Sequence, residues 1–254
     1  VGSEMCIRDS FMTAYLSVTP GEHVITGTER MKNRPIGILV DALRYLGADI
    51  EYVANEGYPP LRIKGHPLEG GYLEIPGNVS SQYISALRMT GGIISRPYID
   101  LTLWMMREFG ADADWSDMET VKVNPHPYNQ HKYLIESDWS ASSYWYEMMA
   151  LTGDTESQLM FEGLMDASKQ GDSIVKYIYS LMGVKTRFGE LADNSAMPTV
   201  TLKKQHCMLP RLDYDFISAP DLAQTVVVTC ALLDIPFKFT GLASLKIKET
   251  DRIE

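Results

Sequence analysis

Three segments of this 254-residue chain repeat one plan, and that repetition restricts the fold more than any other feature. Each opens with a helical pattern that closes on an apolar residue, a glycine and a small residue, then enters a short strand. The first runs RPIGILVDALRYLGADIEYV from Arg34, the second RPYIDLTLWMMREFGADADW from Arg96, and the third GDSIVKYIYSLMGVKTRFG from Gly171. In the first, Ile36, Leu39, Val40, Leu43 and Leu46 follow helical spacing, and in the third Ile174, Val175, Ile178, Leu181 and Met182 do so. Gly47, Gly110 and Gly183 fit the position just past a helix, where a left-handed backbone costs glycine little.

Each segment continues into a second strand, a polar turn and a second helix. These stretches read GGYLEIPGNVSSQYISALRM, HKYLIESDWSASSYWYEMMAL and LDYDFISAPDLAQTVVVTCALL. The three glycines are spaced by about 63 and about 73 residues, longer than a solenoid repeat. The expected unit is therefore a mixed α/β module of two helices and about four strands. Residues 11–17, apolar at Phe11, Met12, Tyr15 and Leu16, read as the tail of a second helix, and residues 248–254 as the opening of a first one. Residues 1–10 (VGSEMCIRDS) read as the start of no element and are expected to be an unrelated leader. On this reading the chain is a fragment, cut at both ends.

Composition narrows the function classes. Hydrophobic residues make up 45% and charged residues 22%, ordinary for a soluble globular protein. No apolar run is long enough to span a bilayer and no signal pattern is present, so a cytoplasmic protein without membrane contact is expected. Cys6, Cys207 and Cys230 lie far apart with no metal-ligand spacing and read as free thiols. The formal charge of −10 argues against a nucleic-acid partner and an RNA-processing role. A small anion remains compatible, because cations cluster locally at Arg30, Lys32 and Arg34 and again at Lys246, Lys248 and Arg252.

Several helix starts suit an anion. At Gly77-Asn78-Val79-Ser80-Ser81-Gln82 the chain passes from strand to helix, where free N–H groups and the positive end of the dipole favour negative charge. Plain N-capping by serine explains much of this run; two serines and a glutamine exceed what a cap needs. At Ser218-Ala219-Pro220-Asp221, Pro220 suits a first helical turn, and Asp221 beside it either complements the dipole or handles a substrate hydroxyl. Carboxylates of ordinary pKa, about 4, are weak bases at neutral pH, so the second role calls for a tuned setting. Lys248 and Arg252, four apart, share a helix face, with Glu249 three residues before Arg252. Such a trio either holds an anion while moving a proton or forms a solvated charged turn. Arg34-Pro35 and Arg96-Pro97-Tyr98 occupy matching positions in two repeats, the second with Ser95 in front.

Together these strings resemble the enolpyruvyl transferase family, and within it the 5-enolpyruvylshikimate-3-phosphate synthases. The runs that carry the resemblance are Glu29-Arg30-Met31-Lys32 through Arg34-Pro35-Ile36-Gly37, Val79-Ser80-Ser81-Gln82-Tyr83, Ser95-Arg96-Pro97-Tyr98-Ile99-Asp100, Pro220-Asp221 and Lys248-Glu249-Thr250-Asp251-Arg252. They keep the family's order from about Phe11 to Glu254. The resemblance implies an α/β fold of repeated βαβαββ units, an inside-out α/β barrel in two domains. Residues 11–136 would be most of the first domain and 137–254 the first part of the second, both incomplete, with the crossover near Glu136-Ser137-Asp138.

The activity it implies is transfer of the carboxyvinyl group from phosphoenolpyruvate to the 5-hydroxyl of shikimate 3-phosphate, a step of the shikimate pathway toward chorismate and the aromatic amino acids. No metal or organic cofactor is implied, and a monomer is expected. By position, Ser80, Ser81, Ser95 and Lys248 match ligands of shikimate 3-phosphate, and Tyr98 flanks it. Gln82 lies between the substrates; Arg34 and Arg252 hold phosphoenolpyruvate; Asp221 is the proton acceptor; Glu249 moves the proton at the methylene. Ser244 stands where many members carry asparagine. Further family ligands, an early Lys-Ser…Arg motif, an Asn-Ala-Gly-Thr…Arg loop, a His-Arg pair and a late lysine, have no match here, so the chain by itself is expected to be inactive. Two alternatives remain: a non-catalytic remnant that binds shikimate 3-phosphate, and UDP-N-acetylglucosamine 1-carboxyvinyltransferase, whose usual reactive loop cysteine has no counterpart here.

Overall fold

A computed structural model describes residues 5–68, 96–117, 120–124, 127–189, 197–207, 209–247 and 253. The chain divides into two compact units, Val1–Gln130 and His131–Glu254, a few residues ahead of the crossover expected at 136–138. Among the described residues no helix is long and apolar enough to cross a membrane.

The first unit begins with helix α1, Met5–Val18. Residues 5–10 are therefore helical, against the expectation that they start no element. Nothing between Met5 and Ser10 is glycine or proline, and a helix nucleated further on extends at the gain of one hydrogen bond per residue. Its inward face is also unexpected. Ser10, Thr13 and Ser17 are buried, while Phe11, Met12 and Tyr15 are exposed. The small hydroxyls bond back to the helix, Thr13 Oγ1 to Asp9 O and Ser17 Oγ to Thr13 O, both at 2.7 Å. Strand β3, Leu61–Gly65, follows later in the unit and approaches closely: a Cβ on Gly65 would fall 1.7 Å from Thr19 O.

Strand β1 (Gly21–Ile25), the short helix α2 (Glu29–Lys32), helix α3 (Gly37–Tyr45) and strand β2 (Asp49–Tyr52) precede β3. The sheet order is β1-β3-β2, all antiparallel. Ile36, Leu39, Val40 and Leu43 are buried against Ile50, Leu61 and Ile63, so the face read from spacing is the core face. Helix α4 (Arg96–Glu108) and the antiparallel pair β4 (Asp112–Trp115) and β5 (Val121–Asn124) repeat the helix–glycine–strand plan.

In the second unit helix α5 (Trp139–Leu151) leads to strand β6 (Gln158–Glu162), a 3-10 turn Gly171–Ile174, helix α6 (Val175–Leu181) and strands β7 (Val184–Phe188) and β8 (Thr199–Lys204). Their sheet order, β6-β8-β7, antiparallel throughout, is the order of the first unit's sheet. Strand β9 (Leu212–Asp215), a 3-10 turn Pro220–Leu222, helix α7 (Ala223–Leu232) and strand β10 (Phe237–Thr240) then form a parallel βαβ crossover, with β9 beside β10. Among the described residues from Gly171 to Thr240 the chain thus holds two α-helices and four strands, as the module predicts. One core joins Trp139, Tyr146, Tyr179, Val200, Leu202, Phe216, Leu222 and Val226. Cys230 is buried in it and Cys207 is half-buried, both as free thiols.

The glycine turns form as read. Gly47 and Gly110 have φ of 96° and 86°. In each the next amide reaches back over the helix end, Ala48 N to Leu43 O and Ala111 N to Met106 O, both 2.9 Å, while the glycine N–H reaches Arg44 O or Arg107 O. One expected strand does not form: residues 131–136 (HKYLIE) join no ladder among the described residues, and Leu134 and Ile135 stand exposed. Among the described residues no neighbouring strand offers this stretch a row of partners, and without them its apolar residues do not make a strand.

Candidate active site

The parallel crossover builds the described part of the site. The ends of two parallel strands and the start of the helix between them fall at one edge, the edge where open α/β sheets take ligands. Past β9 the chain turns through Asp215, whose Oδ1 accepts the Ile217 N–H at 3.2 Å, into the 3-10 turn that carries Asp221. Past β10 it turns through Gly241 into a second 3-10 turn, Ala243–Ile247, that carries Ser244. The two turns pack against each other. Gly241 makes this approach possible: its φ is 74°, and a Cβ there would lie 2.2 Å from Asp215 Oδ1 and 2.3 Å from Ile217 N.

Pro220 opens the turn that feeds α7, as its position predicts, and puts Asp221 at the positive end of that helix. Ser244 Oγ is buried and has no hydrogen-bond partner among the described residues. Leaving such a hydroxyl unmet costs about 1–3 kcal/mol, a cost that a ligand hydroxyl or anion would offset.

In the first unit Arg34 follows the short helix α2, its N–H bonded to Met31 O at 3.1 Å. Lys32 pairs with Glu29 at 2.7 Å, whereas the Arg34 guanidinium has no ion pair among the described residues. Just beyond, Ile36 N bonds to Gly57 O at 2.8 Å and fixes the entry of α3. Tyr98 sits in the first turn of α4 with its ring half-buried and its carbonyl taken by Thr102 Oγ1 at 2.9 Å. Ser80, Ser81, Gln82, Ser95, Lys248, Glu249 and Arg252 lie outside the described residues, as does the helix expected after Val79, and the side chains of Arg30 and Lys246 are likewise outside the description. Of the expected site residues, Asp221 and Ser244 sit on two turns of the second unit that pack together, and Arg34 and Tyr98 each stand at a helix entry of the first.

One cluster escaped the sequence reading. Glu136 accepts from Trp139 Nε1 at 2.7 Å and Met165 N at 2.8 Å with Oε1, and from Ser168 Oγ at 2.6 Å and Gln170 Nε2 at 3.2 Å with Oε2. Gln170 also donates to Ser137 O and accepts from Trp139 N, and Asp138 caps α5 through Ser140 N and Ala141 N. The cluster anchors the start of the second unit. The available signal was an acid three residues before a tryptophan, too weak to single out.

A family model described as EPSP synthase (3-phosphoshikimate 1-carboxyvinyltransferase) matches residues 8–254. The chain belongs to the EPSP synthase family. A 3-phosphoshikimate 1-carboxyvinyltransferase of Bacteroides fragilis is 54% identical over 257 aligned positions, covering 96% of this chain and 60% of that protein. One from Haemophilus influenzae is 36% identical over 250 positions, covering 92% of this chain and 55% of that protein. The fold is that of EPSP synthase from Acinetobacter baumannii, at a TM-score of 0.68 and 19% identity over 97% of this chain and 57% of that one. It also matches the enolpyruvyl transferase NikO from Streptomyces tendae, at a TM-score of 0.58, 13% identity, and coverage of 91% and 56%. The α/β class and the enolpyruvyl transferase fold that the resemblance implied are thereby borne out. This EPSP synthase family chain spans 55–60% of the length of these two curated relatives.

Proposed function

We propose that this chain serves the transfer of a carboxyvinyl group from phosphoenolpyruvate to the 5-hydroxyl of shikimate 3-phosphate. The observation that carries the reading is the meeting of the Asp221 and Ser244 turns at the carboxyl edge of β9 and β10, with Ser244 Oγ buried and unpartnered among the described residues. A carboxylate and an unmet hydroxyl on two adjoining turns suit a polyhydroxylated acceptor. The relatives' names carry shikimate 3-phosphate as the acceptor, which favours it over UDP-N-acetylglucosamine.

The chemistry assigns each residue a task. The acceptor hydroxyl oxygen attacks the substituted vinyl carbon of phosphoenolpyruvate while the methylene carbon gains a proton, giving a tetrahedral adduct. That methyl then loses a proton, the carbon–oxygen bond to phosphate breaks, and phosphate departs with the electron pair. In this scheme Asp221 orients the hydroxyl and takes its proton, and Glu249 gives and recovers the proton at the methylene. Arg34 and Arg252 hold the carboxylate and phosphate of phosphoenolpyruvate by charge-assisted bonds. Ser80, Ser81, Ser95, Tyr98, Lys248 and Ser244 hold shikimate 3-phosphate, with Gln82 between the substrates. The units Val1–Gln130 and His131–Glu254 would contribute to the two domains of such an enzyme, a cytoplasmic monomer needing no cofactor.

Calorimetric titration with shikimate 3-phosphate, with and without phosphoenolpyruvate, tests the reading beside an assay of phosphate release. Saturable binding of shikimate 3-phosphate is expected, weakened about tenfold or more, roughly 1.4 kcal/mol, by Asp221→Ala and less by Ser244→Ala. Binding of UDP-N-acetylglucosamine instead, or of neither by folded chain, would overturn it.

A further inference from the structure

The two three-stranded sheets share one topology but not one charge pattern. Aligned on Gly47 and Gly183, Asp49 and Glu51 of β2 correspond to Lys185 and Arg187 of β7. In the first unit the exposed face is complementary: Asp49 lies opposite Lys64, which also faces Glu22, and Glu51 lies opposite Arg62 at 3.6 Å. In the second unit Lys185 lies directly opposite Lys203, and Arg187 opposite Thr201. The middle repeat follows the first: Asp114 of β4 lies opposite Lys122, and Asp112 opposite Asn124. Two repeats out of three thus put acids at these two positions, and the third puts bases there.

Like charges directly opposite on one face destabilise a sheet. Edge protection explains charge on β7, an edge strand, but not its sign. Acids at 185 and 187 would protect the edge equally and would stand opposite Lys203 as Asp49 stands opposite Lys64. Among the described residues Lys185, Arg187 and Lys203 form no ion pair, although the chain carries a net charge of −10. Around them the face presents Thr201 and, on β6, Gln158 opposite Lys203 and Met160 opposite Thr201; one acid, Glu162, stands further along β6 opposite Thr199.

We propose that the exposed face of β6-β8-β7 binds a small anion carrying two or more phosphate groups at Lys185, Arg187 and Lys203. Strand geometry puts the three cations within roughly 5 Å across and 7 Å along the sheet. That spread matches adjoining phosphates. A nucleic acid would need a longer basic stripe, and a protein partner a contact face of roughly 800 Å². The site lies on a different sheet from the β9–β10 pair that carries the Asp221 and Ser244 turns, and neither reading depends on the other.

Pyrophosphate is the probe, titrated by calorimetry into the full chain at low salt and again near 0.15 M salt. Saturable binding is expected, tighter than for orthophosphate and weakened about tenfold or more in the double variant Lys185→Asp/Arg187→Glu, which carries the first repeat's residues. Its thermal midpoint without ligand should be unchanged or higher, since the like-charge contact is gone. Lys203→Gln gives a second, milder loss that does not depend on the double variant folding. Arg34→Ala and Asp221→Ala should leave pyrophosphate binding intact. No saturable binding, equal binding by the sheet variants, loss in Arg34→Ala instead, or tighter binding of a single-stranded oligonucleotide would each overturn the proposal.

Discussion

Tyr146 and Tyr179 pack ring against ring in the core of the second unit, their centroids 5.6 Å apart and their planes at 50°, and each shares its hydroxyl with a threonine on another element. Tyr146 pairs with Thr186 of β7 and Tyr179 with Thr229 of α7, both at 2.9 Å. Helices α5 and α6 are thereby tied to the sheet and to α7 through polar contacts inside an apolar core. Both rings are fully buried, and burial pushes both phenols up to about 12.

Stability of the second unit should fall as the solution becomes alkaline. Each folded phenol titrates above its unfolded value of about 10. The folded state therefore keeps a proton that the unfolded chain loses first, and stability is intact below pH 10 and lost as pH rises toward 12. Denaturant unfolding at neutral pH and across that window measures the slope. Tyr146→Phe with Tyr179→Phe should flatten it, at a neutral-pH cost of about 1 kcal/mol for each lost hydrogen bond. An unchanged slope in the double variant would refute the assignment.

Arg44 and Arg107 hold matching places in the first two repeats and make the same contact with unequal strength. Arg44 donates from Nε and Nη2 to Ile50 O at 2.9 and 2.6 Å, with its guanidinium 4.9 Å over the Tyr52 ring. Arg107 reaches Ala113 O at 3.5 Å and pairs with exposed Asp114 at 2.8 Å. Arg44→Met should cost about 1–2 kcal/mol; Arg107→Met should cost less than about 1 kcal/mol, since its main partner is solvent-screened. Chemical denaturation followed on the first unit ranks the two, and the reverse order would count against this account.

These contacts mark what a sequence can disclose here. Gly47, Gly110 and Gly183 were legible because a helix end with a left-handed residue has a local signature. Leu39, Val40 and Leu43 were legible because a core face repeats with the helical period. The α1 face was not: Ser10, Thr13 and Ser17 turn inward because Gly65 brings a strand against the helix end, a relation between residues far apart in the chain. Strand pairing is non-local in the same way, so 131–136 looked like a strand on composition while its lack of a partner could not be read. The edge that joins Asp221 to Ser244 was half legible. Pro220 announced the turn, but the approach of Gly241 to Asp215 exists only once β9 and β10 lie side by side.

Asp234 closes α7 with a positive φ of 53°, as Gly47, Gly110 and Gly183 close α3, α4 and α6. Its neighbour completes the same turn, Ile235 N to Cys230 O at 2.9 Å. Aspartate tolerates this region better than most residues yet carries a Cβ penalty. Asp234→Gly should therefore stabilise the second unit, by roughly 0.5–1 kcal/mol, and Asp234→Val should destabilise it by more. A lower thermal midpoint for the glycine variant would contradict the backbone argument.

Glu136 supplies the sharpest contrast between shape and charge. Four donors converge on its two oxygens, from Trp139 Nε1, Met165 N, Ser168 Oγ and Gln170 Nε2. Glutamine has nearly the same shape but offers one acceptor oxygen and one donor group, so at least two of the four donors would face an N–H. Glu136→Gln should then cost about 2–3 kcal/mol, close to Glu136→Ala, because bonds to a charged acceptor are lost and donors are left unmet. Denaturant unfolding with the fluorescence of buried Trp139 as one signal measures both variants. A glutamine variant as stable as the parent would reduce Glu136 to a space-filling role and leave the anchoring of the second unit to Gln170 and Asp138.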